Sequence, residues 1–124
     1  MSITYPLFVF EKDDCSMRLI REEAGILHGL EAIDIQNDEY VFWDANGADV
    51  AISASVGSFK SKLTSIVSCP PVFPISEAFT QYAKSLGIAG PVAEGAALDV
   101  WNRIQSEVER RPRKNNFFSR LFPH

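Results

Sequence analysis

His28 is the only histidine inside the chain, the other being the terminal His124. A nucleophilic pair would therefore be built on it, with Cys15, Cys69 or a serine giving up its proton to the imidazole. No Gly-x-Ser-x-Gly turn accompanies these residues, so the elbow of an α/β-hydrolase is excluded. Mere availability of residue types is weak support for catalysis, and a partly buried structural histidine is the expected role of His28. The two cysteines stand far apart, outside any Cys-x-x-Cys, and no closely spaced His and Cys ligands are present. No metal and no cofactor site is expected. Asp44-Ala45-Asn46-Gly47-Ala48-Asp49 has the residue types of a calcium loop, but its glycine is fourth rather than sixth and its flanks read as strands. Its expected role is a hairpin turn. Adjacent acids (Asp13/Asp14, Glu22/Glu23, Asp38/Glu39) fall in turns and exposed flanks. Glycosidase chemistry instead needs two carboxyls converging across a cleft. The glycines form neither a dinucleotide-binding fingerprint nor a P-loop. These residues carry no catalytic signature.

The elements that must position them come from one domain of ordinary globular composition, 124 residues with 46% hydrophobic and 23% charged. Charge is unevenly spread. The net charge is −4, yet five of the 12 bases lie from Arg110 onward, where there is no acid. All 16 acids precede that point, and six of them fall between Glu31 and Asp49 without a base. An acidic body repels phosphates, which argues against nucleic-acid binding by the folded domain, and attracts a basic partner. The apolar run Pro6–Phe10 is too short for a signal peptide and lacks a basic lead-in. No run approaches the ~18 apolar residues of a membrane span. A cytoplasmic protein with free thiols is expected.

Tyr5–Phe10 reads as a strand, with Pro6 at its start hinting at a sheet edge. Ser16–Ile20 reads as its antiparallel return. Arg21–Leu30 suggests a short helix weakened by Gly25 and Gly29, and Ala32, Ile33 and Ile35 a short extended piece. Glu39–Trp43 and Asp49–Ala54 form a hairpin around Asn46-Gly47. Lys60–Val67 is a further strand of imperfect alternation. Three prolines between Pro70 and Pro74 break the β region. A helix follows, with Ser76 as cap, an apolar stripe of Ala78, Phe79, Tyr82, Ala83 and Leu86, and Gly87 at its end. A second helix over 96–111 carries Leu98, Trp101, Ile104 and Val108 and stops at Pro112. Strands first and helices later predict an α+β fold: an antiparallel sheet of four to five strands with two C-terminal helices on one face. Residues 1–112 form the domain. The basic-aromatic tail 113–124 packs back on the acidic body, stays mobile, or meets a partner or membrane.

Tyr40 and Phe42 share one face of their strand, Val41 and Trp43 the other. Both faces are apolar, so the strand is central and covered on both sides, or one face is left open for a partner. In that second case Tyr40 or Trp43 becomes the anchor of an interface.

The segments Tyr5-Pro6-Leu7-Phe8-Val9-Phe10-Glu11-Lys12-Asp13-Asp14, Leu30–Ile35 and Glu39–Asp44 resemble a group of small uncharacterised bacterial proteins over roughly residues 5–87. In type, as a small acidic domain without catalytic motifs, the chain is similar to immunity proteins of bacterial toxin systems. Neither resemblance transfers a functional residue. The leading expectation is a small binding protein acting by occlusion, an immunity-type inhibitor of a basic toxin. Asp34, Asp38, Glu39 and Asp44 would steer the partner, and Tyr40 and Trp43 would anchor it. Two alternatives stand beside it: a small enzyme using His28 with Cys15 or Cys69, and a homo-oligomer, a dimer through a sheet edge or uncovered face.

Overall fold

The computed structural model describes residues 3–58, 60–89 and 94–110; the tail 113–124 lies outside them. Five strands form one antiparallel sheet: β1 (Leu7–Glu11), β2 (Ser16–Ile20), β3 (Tyr40–Trp43), β4 (Asp49–Ser55) and β5 (Lys62–Ser68), in the order β2-β1-β3-β4-β5. A 3₁₀ turn (Glu23–Gly25) and two short helices, α1 (Ile26–Gly29) and α2 (Ala32–Gln36), connect β2 to β3. Two longer helices, α3 (Ile75–Ser85) and α4 (Ala97–Arg110), follow the sheet. The fold is α+β.

Strand alternation divides the core in two. Leu7, Val9, Phe42 and Val50 point to one face, where Ile26, Leu30, Ala32 and Ile35 cover them. Phe8, Phe10 and Trp43 point to the other, under Ala78, Phe79, Ala83, Val100 and Ile104. Both C-terminal helices thus lie on one face, as the sequence implies, and the segment between β2 and β3 covers the opposite one. That segment corrects one expectation. Ala32, Ile33 and Ile35 are helical rather than extended, which turns Ala32 and Ile35 inward and leaves Ile33 in solvent. Pro6 is also no edge marker. It precedes Leu7, the first strand residue, and β1 runs between β2 and β3.

The imperfect alternation of β5 has a local cause. Ser53 pairs with Ser65, but Ala54 pairs with Leu63, so Thr64 is an extra residue. This bulge resets the parity and lets Leu63 and Ile66, three apart, face the same core.

The β3–β4 turn is held by Asp44, whose Oδ1 accepts the backbone N–H groups of Asn46 (2.9 Å) and Ala48 (3.1 Å). Gly47 supplies the positive φ of 82°. Pro74, not Ser76, occupies the N-cap of α3. At the other end Ile88 N–H donates to Ala83 O and Gly87 N–H to Lys84 O, a Schellman closure that uses Gly87 at φ 74°. In α4 the inward stripe is Ala97, Val100, Trp101 and Ile104. Leu98 and Val108, assigned to that stripe from spacing, are exposed.

Candidate binding site: an acidic end and an adjoining cleft

The acidic run Glu31–Asp49 does not form one surface, because β3 carries its two halves apart. Asp34 lies within α2 and its backbone oxygen accepts the N–H of Glu39, and Asp38 and Glu39 precede Tyr40, so these three collect at the start of β3, beside the turn after β1. Asp44 and Asp49 sit at the far end and are buried in structural roles. Asp49 Oδ2 accepts the backbone N–H groups of Val72 (3.0 Å) and Phe73 (3.3 Å). Asp44 is therefore no steering charge. Trp43 is no anchor either. It is fully buried, and its Nε1–H donates to Phe73 O at 2.9 Å.

At the acidic end Asp38 is, among the described residues, the one carboxylate of the three in an ion pair. Lys12 Nζ lies 3.4 Å from its Oδ2 and donates to its backbone oxygen at 2.8 Å. Asp38 adopts a positive φ of 58°, a conformation that Asp tolerates better than most residues. Glu39 has like charge as its company. The hydrogen bond that its protonated carboxyl donates to Asp34, partial burial, and the charges of Asp34 and Asp13 together push its pKa up to about 7. Tyr40 is buried, its ring against Phe42 with centroids 6.0 Å apart, and its hydroxyl reaches Asp34 Oδ2 at 3.4 Å. Burial first, then the charges of Glu11 and Asp34, push its pKa up to about 12. Tyr40 thus shapes the acidic end from below and presents no free ring to a partner.

A cleft opens beside this cluster, and the strand register explains it. β3 pairs with β4 only at Trp43↔Asp49 and Phe42↔Val50. The next bonded rung, Tyr40 with Ile52, does not form. Tyr40 and Val41 keep their pairing to β1, and Ala51 and Ile52 theirs to β5. One step further along β4, the Gln36 side chain of α2 takes over, its Nε2 donating to Ala54 O at 3.2 Å. The opening left between has a volume of about 160 Å³, with Lys12 and Asp38 at one end, Cys69 and Val72 at the other, and Ile35 and Ile52 in its walls. Around it α3 and α4 leave the sheet uncovered. Ala51 and Ser53 are exposed, Val67 is 52% exposed and Val72 75%. Composition could not mark these residues, since a valine reads as core until its strand is placed at an edge.

The catalytic alternative finds no assembled site among the described residues. Cys15 packs on the α3–α4 face, with its Sγ 3.6 Å from Gln81 Oε1. His28 is exposed, not partly buried as expected, on α1 beyond the opposite face, next to β2. Cys69 follows β5 at the other edge of the sheet. Burial and then the Asp49 charge push its thiol up, away from the nucleophilic thiolate. Among the described residues no group of three or more His, Cys, Asp or Glu side chains stands where it could hold a metal ion, and no helix is long and apolar enough to cross a membrane. No family model, curated protein or solved structure matches this chain.

Proposed function

We propose that this chain is a non-catalytic binding protein whose acidic end receives a basic protein partner, in its sharper form an immunity-type inhibitor that covers a basic toxin in the cytoplasm. One observation carries the reading: Asp34, Asp38 and Glu39 gather at the start of β3 beside Asp13 of the β1–β2 turn, and this crowding pushes the Glu39 carboxyl up. Like charges gathered at an exposed corner are a cost to the free protein. A lysine or arginine of a partner relieves it, so the cost becomes binding free energy and a bias for basic surfaces. Occlusion needs complementarity and no chemistry, which agrees with the separation of His28 from both cysteines. The free thiols Cys15 and Cys69 suit a reducing compartment.

Titration with hexalysine, followed through backbone amide shifts, tests the reading. The expected shifts concentrate at Asp13, Asp34, Asp38 and Glu39, fade in high salt, and disappear in the Asp34→Asn/Glu39→Gln variant. Shifts centred elsewhere, or equal binding by that variant, contradict it.

A further inference from the structure

We infer that the cleft between β3 and β4 is the apolar half of the same interface: it takes one leucine-sized side chain from an extended, basic segment of the partner. The inference rests on the acidic-end reading and adds to it a conformation and a side-chain class. Three observations carry it.

The first is the broken ladder. Backbone groups in an antiparallel pair point alternately to the two neighbouring strands. Lys12 N–H bonds Glu39 O, and Asp44 N–H bonds Ala48 O. This alternation turns the backbone N–H and C=O of Tyr40 and Ile52 toward each other across the opening, where the rung between them is missing. An extended chain lying across the mouth of the opening can meet these groups with its own backbone donors and acceptors, while the opening itself has width for a side chain and not for a further strand.

The second is size. At about 160 Å³ the cleft is comparable to the engineered cavities of ~150 Å³ that take up benzene, enough for one leucine or phenylalanine side chain. Its walls of Ile35, Val41, Ile52 and Val72 are apolar, and the exposed Val67 extends the patch along β5.

The third is charge. The end of the cleft is marked by Lys12 and Asp38, whose charges match each other, and the negative excess there comes from Glu39, next in the chain, with Asp34 and Asp13 beside it. A residue inserted in the cleft places its chain neighbours at this end, where lysine or arginine is matched and an acid is repelled. The segment therefore alternates apolar and basic residues, the pattern that puts all apolar side chains of an extended chain on one side.

The experiment compares two blocked hexapeptides, (Lys-Leu)₃ and (Lys-Ser)₃, which share charge and length. The leucine peptide should bind at least about tenfold tighter, the gain from burying one leucine side chain. It should also shift the amides of Tyr40, Val41, Ala51 and Ile52. Ala51→Trp fills the cleft from an exposed strand position that favours aromatic residues. Checked for an unchanged thermal midpoint, it should bring the leucine peptide down to the affinity of the serine peptide. Equal affinities for the two peptides, or an unaffected Ala51→Trp variant, overturn the cleft inference and leave the acidic-end reading standing. Absence of binding by both peptides overturns both. Shifts at Tyr40 and Ile52 that grow with protein concentration alone assign the cleft to a second copy of the chain and overturn the inference as stated.

Discussion

Asp49 and Phe73 are bound to each other across 24 positions of sequence, the carboxylate of the first accepting the backbone N–H of the second. The same oxygen holds the N–H of Val72. One buried carboxylate therefore fastens the proline-rich passage from the sheet to α3. It also fixes the carbonyl that receives Trp43 Nε1–H.

Asp49→Ala strands two backbone donors and should cost about 2–3 kcal/mol. Asp49→Asn keeps an acceptor oxygen in place and should cost less, about 1 kcal/mol. Urea unfolding of the two variants checks the order. Equal losses would mean that the carboxylate geometry is not what matters.

Trp43→Ala empties the space of the largest fully buried side chain and should lose about 3–5 kcal/mol. Trp43→Phe keeps a ring in the cluster and should lose less. The effect appears in stability and not in affinity for a cationic peptide. An affinity loss at unchanged stability would restore Trp43 as an interface anchor.

Gly47 has room for a methyl group, since a Cβ there would meet Ile75 Cγ2 at an ordinary 3.6 Å. Its φ of 82° is what a side chain resists. Gly47→Ala should therefore lose about 1 kcal/mol through backbone strain alone. A thermal midpoint equal to that of the parent would show the turn relaxing into another conformation.

Much of this architecture is legible in the sequence. The Asn46-Gly47 hairpin, the stripe of α3 and its stop at Gly87 are local patterns, and each is where the pattern puts it. Features set by distant partners are not. Ala32–Gln36 has too few residues to display a helical period, so its apolar residues look extended. Trp43 and Asp44 look available because exposure depends on α3 and on the passage around Phe73, more than twenty positions on. Asp34, Asp38 and Glu39 are legible as acids, while the crowding of Glu39 by Asp13 depends on the β1–β3 pairing. The cleft is the least legible feature. Nothing in Tyr40 or Ile52 announces a missing rung, which follows from where the β3–β4 ladder stops.

Cys69, with its thiol pushed up by burial and the neighbouring Asp49, should react with iodoacetamide at neutral pH more slowly than an unstructured cysteine peptide. Rapid alkylation would revive a thiol-based activity.

Glu39 also sets a pH dependence of stability. Its folded pKa of about 7 stands above the ordinary 4.5, so the folded state binds the proton more tightly than the unfolded chain does. The unfolded state binds fewer protons across that window, and stability falls as pH rises from about 4.5 to 7. Glu39→Gln should flatten this part of the curve, matching the parent below pH 4.5 and exceeding it above 7. Thermal midpoints across that range check the sign, and a curve of the same shape for both proteins would contradict it.

The most direct test of the acidic-end account is calorimetric titration with (Lys-Leu)₃ at pH 7 in two buffers of different ionisation enthalpy. A cationic ligand that relieves the crowding favours the ionised form of Glu39, which is near its midpoint at that pH. The parent should release up to about half a proton per peptide bound, and Glu39→Gln none. Binding without proton release, or the same release from both proteins, would contradict it.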